Sequence, residues 1–224
     1  MKKFFIFAVL ALLPFFAKSQ NFCPDSNHPH AIDLGLPSGM KWACCNVGSS
    51  KPEDYGSYFA WGETSTKSYY SWKTYIWCNG SGTKLIKYNT QNSEGMIVDN
   101  KKKLDLEDDA ARANWHGFWR IPTPDEHGEL RLYCEESFVT INGVFGIMYT
   151  SHKNGRSIFL PAAGYKSSDQ IFYRGELGRY WHSSLLNNWK PAFAQNYSFP
   201  YLGGGAGSSN ERYEGQSVRP VFGK

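Results

Sequence analysis

Residues 138–141, the dipeptide Asn142-Gly143 and residues 144–150 commit this chain to antiparallel β-structure. Asn-Gly adopts the left-handed backbone that a two-residue hairpin turn demands, and the apolar, β-branched runs on either side supply the strands it joins. Further short strands are expected at 157–160, 179–183, 191–199 and 217–222, with a flexible loop at the glycine-rich stretch 203–207. Upstream, 40–47 and 58–61 read as two strands around an exposed loop, and 64–100 as a long loop region anchored by Trp72, Tyr75, Trp77 and Tyr88.

Two helices are expected between these strand regions. One starts after Asp105, where acids crowd the first turn and complement the helix dipole. The other starts at Thr123-Pro124-Asp125-Glu126, which joins an N-cap threonine, a proline at the first helical position and a glutamate placed for a capping box. Leu130, Tyr133 and Cys134 follow at helical spacing, so this helix has an apolar face with Cys134 turned inward. Helices in the middle and antiparallel strands on both sides make the fold class α+β, in one domain without repeats or linkers.

The beginning of the sequence is of another kind. Lys2 and Lys3 precede an apolar run at 4–17, and Ala17-Lys18-Ser19 has the small residues that signal peptidase requires. The expectation is an exported protein: a signal peptide at 1–19, a polar leader at 20–32 that packs late or stays mobile, and a folded domain at 33–222. The apolar run is too short to cross a bilayer and no second one follows, so no membrane span is expected after cleavage. Charge excludes a further class. Of 24 Lys and Arg against 20 Asp and Glu, three lysines leave with the signal peptide, and 21 against 20 without a basic cluster is not a nucleic-acid footprint.

Five cysteines (Cys23, Cys44, Cys45, Cys78, Cys134) are an odd number, and bridges and buried reduced thiols weigh about equally. Cys45, Cys78 and Cys134 are the disulfide candidates; Cys134 is the expected partner in a bridge, with its mate left open. Cys23, His28 and His30 look like a metal ligand group, but zinc ligands come in two paired halves and no second half is evident, so no metal site is expected. Oxygen donors around Asp99, Asn100, Asp105 and Asp109 could hold a structural calcium ion, though without EF-hand spacing, and no other cofactor is expected. There is no Gly-x-Ser-x-Gly turn to present a nucleophile, and His116, His127, His152 and His182 each stand alone. Aromatic and amide residues gather instead between Tyr180 and Tyr201, where flat faces and amides suit sugars or protein surfaces and strand alternation should place half of them in the core.

A set of motifs spans most of the chain: Asp33-Leu34-Gly35-Leu36-Pro37-Ser38-Gly39-Met40-Lys41-Trp42-Ala43, Asn46-Val47-Gly48, Pro52-Glu53-Asp54-Tyr55-Gly56, Phe59-Ala60-Trp61-Gly62-Glu63-Thr64, Trp119-Arg120-Ile121-Pro122-Thr123, Phe159-Leu160-Pro161-Ala162-Ala163-Gly164 and Ser217-Val218-Arg219-Pro220-Val221. In residues and order they resemble the Fibrobacter succinogenes major paralogous domain, a family abundant among exported proteins of Bacteroidetes. That family is similar in turn to the formylglycine-generating-enzyme-like branch of the C-type lectin fold. The resemblance implies two helices, twisted antiparallel strands and long loops, and a role in surface binding or adhesion. Cys44, His116 and His182 depart from the family's usual residues, and the calcium-dependent sugar motifs of animal lectins are missing. The oxidase chemistry of the formylglycine-generating enzymes needs a late cysteine pair, whereas 135–224 contains no cysteine.

The functional expectation is therefore a non-catalytic module for an extracellular glycan or protein, using Trp181, His182, Asn187, Asn188, Trp189, Tyr197 and Tyr201. The alternatives are a structural subunit or tip of a surface filament and, third in order because of the missing cysteine pair, an enzyme of the formylglycine-generating type.

Overall fold

The computed structural model describes residues 27–91, 97–186, 190–201 and 203–223. The signal-peptide reading, Cys23, and three of the expected ligand-binding residues, Asn187, Asn188 and Trp189, lie outside that range. No helix among the described residues is long and apolar enough to cross a membrane.

In chain order the elements are β1 (Ala31–Ile32), β2 (Lys41–Ala43), a 3-10 turn (Leu106–Asp108), α1 (Ala110–Trp115), β3 (Trp119–Arg120), α2 (Pro124–Tyr133), β4 (Cys134–Ile141), β5 (Val144–Ser151), β6 (Ser157–Pro161), β7 (Tyr165–Ser167), β8 (Gln170–Phe172), β9 (Leu177–Leu185), β10 (Phe193–Pro200), β11 (Ala206–Glu211) and β12 (Val221–Phe222). The strands form several small sheets, in the orders β1-β2-β12-β3, β11-β10-β9, β4-β5-β6 and β7-β8, and every pair of named strands is antiparallel. A mostly β, mixed architecture with two helices is consistent with α+β.

Local chemistry explains the elements that match expectation. The β4–β5 hairpin closes with Ile141 opposite Val144, and Asn142 and Gly143 have φ of 48° and 81°. On α2 the capping box is complete: Thr123 Oγ1 accepts from Glu126 N and the Glu126 carboxylate accepts from Thr123 N. Glu126 also pairs with Arg120, which ties the start of α2 to β3.

Other expectations are corrected. The first helix begins after Asp109 rather than Asp105: the Asp109 carboxylate accepts from Ala111 N and Arg112 N, leaving the earlier acids in the 3-10 turn. The strand expected at 58–61 is a single bridge, Phe59 with Gln216, while that at 40–47 shortens to β2. Tyr133 is exposed, because α2 ends there and Cys134 turns inward as the first residue of β4. Part of the leader is ordered into the sheet, with Ala31 opposite Ala43 and Cys44 N donating to His30 O. The glycine-rich stretch runs into a strand, and one of its residues is packed tightly: a Cβ on Gly205 would lie 1.6 Å from the Tyr197 hydroxyl.

The expected disulfide is also absent among the described residues. Cys45, Cys78 and Cys134 are free and buried. Cys78 and Cys134 belong to different apolar clusters, one around Tyr70, Tyr75 and Leu85, the other around Leu130, Ile147 and Tyr149. Burial alone pushes the Cys134 thiol up to about 11, so it stays protonated and behaves as a small apolar side chain.

Gly128 lies inside α2, and a Cβ there would meet nothing within 4 Å. Gly128→Ala should therefore stabilise the protein by about 0.5–1 kcal/mol through lower unfolded-state entropy and better helix propensity. Urea midpoints of variant and wild type check this, and an unchanged or lower midpoint would contradict it.

Candidate functional site

A cleft of about 500 Å³ opens between α2 and the β9-β10-β11 sheet. Residues of four elements line it: His127 and Arg131 of α2, His182 of β9, Gln195, Asn196 and Tyr197 of β10, and Ser208 and Ser209 of β11. The pairing of Asn196 with both Trp181 and Ser208 aligns the three strands behind it.

At the floor, the His127 ring stacks on Tyr197 at 3.8 Å between centroids, and His182 lies 5.3 Å from His127. Tyr197 is fixed by hydrogen bonds to Tyr149 at 2.6 Å and to Glu136 at 3.2 Å. Arg131 stands at the mouth, with its guanidinium over the Tyr197 ring and 3.6 Å from the Glu136 carboxylate. Both ring nitrogens of His127, Nε2 of His182 and Oδ1 of Asn196 are buried without a hydrogen-bond partner among the described residues.

Burial drives both imidazoles toward the neutral form. His127 is held well below the ordinary range by desolvation, by His182 and by Arg131. His182 is lowered to about 4 by desolvation, against the opposing pull of Glu126. A neutral imidazole offers one donor and one acceptor, so the cleft presents both kinds of group without a fixed charge on either ring.

The residues expected from sequence divide accordingly. His182 and Tyr197 reach the cleft, although Tyr197 is 1 % exposed and forms its floor rather than a stacking platform. Trp181 is core: it is fully buried among Phe59, Trp61 and Val218 and donates through Nε1 to Phe59 O. Tyr201 is exposed in a separate hollow with Tyr173, Glu176, Leu177 and Pro200. Sequence reasoning missed His127, Arg131, Gln195, Ser208 and Ser209 as site residues. Of these only His127 had a usable signal, an imidazole one turn into a confidently capped helix beside the apolar Leu130.

The calcium set is not assembled. Asp99 accepts from the backbone of Tyr88, Asn89 and Lys101, and Asp109 accepts from Ala111, Arg112 and Ile121. Asp105 instead groups with Glu107 and Asp108, where Lys87 Nζ lies 3.1, 3.3 and 2.5 Å from their respective carboxylates. The lysine already supplies the positive charge that a cation would bring.

No family model, curated protein or solved structure matches the chain.

Proposed function

We propose that this chain is an exported, non-catalytic binding module that takes a glycan in the cleft between α2 and the β9-β10-β11 sheet. The observation that carries the reading is a set of three ring nitrogens, both of His127 and Nε2 of His182, buried without protein partners among the described residues on side chains that line an open cleft. An orphaned buried polar group costs about 1–3 kcal/mol, and such groups collect where water or a ligand completes them. Sugar hydroxyls both donate and accept, as do the neutral imidazoles, the Gln195 amide and the Ser209 hydroxyl of residues lining the same space. The signal-peptide reading of residues 1–19 and the resemblance to the major paralogous domain, with its C-type lectin-like fold, support the same reading.

One observation favours a second reading. β11 has residues 206–208 exposed and pairs only with β10 among the described strands, so its outer edge is open to strand addition by another subunit, as filament assembly would require.

A glycan screen with three proteins separates the readings. Gly207 lines the cleft, and a Cβ there meets nothing within 4 Å, so Gly207→Trp should fill the cleft without disturbing the fold. Binding should fall at least tenfold in Gly207→Trp, whereas Tyr201→Ala, outside the cleft, should change it by less than about 0.5 kcal/mol. Loss of binding in Tyr201→Ala alone would move the site to the Tyr173–Tyr201 hollow. Concentration-dependent polymerisation without glycan binding would favour the filament subunit.

A further inference from the structure

From the start of the described chain, we propose a second site: His28, His30, Cys44 and Cys45 form a four-donor zinc site that fastens the leader onto β2. The pairing of β1 with β2 sets His30 against Cys44, with Cys44 N donating to His30 O at 3.0 Å. His28 then lies above both cysteines.

Four of the donor-to-donor distances approach those of a zinc tetrahedron. With Zn–S near 2.3 Å and Zn–N near 2.0–2.1 Å, two sulfurs should stand about 3.8 Å apart and a nitrogen and a sulfur about 3.6 Å apart. Here Cys44 Sγ and Cys45 Sγ are 3.7 Å apart, and His28 Nδ1 lies 3.4 Å from Cys44 Sγ and 3.7 Å from Cys45 Sγ. His30 Nδ1 is 3.7 Å from Cys44 Sγ, and the donor atoms of His28, His30 and Cys44 all lie within 4.8 Å of one another. Two imidazoles and two thiolates are a donor set that selects zinc over calcium or magnesium.

The surroundings also suit a metal. Both cysteines are fully buried while both histidines are half-buried, which leaves an entry path on the histidine side. His30 N–H points to Cys44 Sγ at 3.3 Å, the kind of backbone donor that steadies a ligating thiolate. Arg219, buried beneath β2, donates to the carbonyls of Ala43 and Cys44 and to Asn46 Oδ1, so the cysteine half is held rigidly. Binding releases both thiol protons to solvent, and the two thiolates balance the dication, so the buried site is electrically neutral.

The purified chain, reduced and stripped of metal, should take up one zinc ion per chain by mass spectrometry, and its melting temperature should rise with zinc concentration by mass action. His28→Ala/His30→Ala should lower zinc affinity by more than about 100-fold, beyond the loss expected from an outer-shell partner, and should melt at the same temperature with or without zinc. Because that variant retains both cysteines, a folding defect is checked by its far-ultraviolet circular dichroism in chelator. In the wild type, cobalt(II) should give the thiolate-to-metal charge-transfer band of a two-sulfur site, and Cys44→Ala/Cys45→Ala should abolish it. Substoichiometric zinc, copper(I) binding without zinc binding, or zinc binding unchanged by loss of both histidines would each overturn the proposal.

Discussion

Replacing Arg212 by methionine is expected to lower the free energy of unfolding by roughly 3–5 kcal/mol, at the upper end of what one substitution costs. Arg212 is completely buried immediately after β11. Its Nε donates to Tyr75 Oη at 2.8 Å, Nη1 to the carbonyls of Tyr88 and Pro191 at 3.1 and 2.9 Å, and Nη2 to the Lys87 carbonyl at 3.1 Å. The guanidinium also sits over the rings of Trp61, Tyr75 and Tyr88. Methionine keeps the apolar contacts but leaves three carbonyls without this donor and takes from the Tyr75 hydroxyl the bond it accepts, although that hydroxyl still donates to Trp61 O, and a buried acceptor without a partner costs more than the net gain of the bond that served it. Arg212→Lys should lose most of the same energy, since one ammonium on a flexible stem cannot span four acceptors. Urea unfolding followed by tryptophan fluorescence measures the loss. A cost below about 1 kcal/mol for Arg212→Met would mean that water replaces the guanidinium, and that this cage does not order the chain.

The same cage explains what the sequence could and could not reveal. Trp72, Tyr75, Trp77 and Tyr88 are legible as anchors of a loop-rich stretch because large aromatics in a polar segment have few other uses, and all four pack as such. That the loop is fastened from residue 212 is not legible, because a lone arginine more than a hundred residues downstream carries no local periodicity. The hairpin at Asn142-Gly143 and the cap at Thr123 are readable for the opposite reason: their physics is contained within a few residues.

The candidate site shows the same limit twice. Along β9, Tyr180, Trp181 and His182 are all buried, since the strand is covered on both faces, and alternation therefore cannot tell the core tryptophan from the cleft histidine. His127 and His182 read as solitary because their meeting depends on how α2 lies across the sheet. The proposed zinc site draws its cysteines, Cys44 and Cys45, from a stretch that reads as strand, and the link to His28 and His30 is not legible because the β1–β2 register that aligns the two halves involves strands of only two and three residues, too short for any pattern.

Acid should expose the cleft histidines energetically. His182 has an ordinary value of 6.5 and is lowered to about 4 in the folded chain, chiefly by desolvation, while Glu126 on α2 pulls the other way. His127, on α2 with Arg131 and Tyr197 around it, is also held well below its ordinary value, first by burial and then by His182 and Arg131. Because the unfolded chain takes up these protons first, the stability that depends on neutral imidazoles is complete above about pH 6.5 and is lost as pH falls toward 4. For His182 the difference of about 2.5, at about 1.4 kcal/mol per pH unit, is worth about 3 kcal/mol. Two buried carboxyls oppose it in the total: burial raises Glu214 to about 7 and Asp109 to about 6, so the folded state takes up those protons first and gains stability over the same descent. A bare pH profile of the wild type would mix these signs, and the difference between wild type and His182→Gln removes the common terms. That difference, wild type minus variant, should fall by about 3 kcal/mol between pH 7 and pH 4 in urea unfolding, because glutamine keeps polar reach at the cleft wall but does not titrate. Parallel stability curves for the two proteins across that interval would show that the His182 ring is already hydrated at the cleft and charges without cost to the fold.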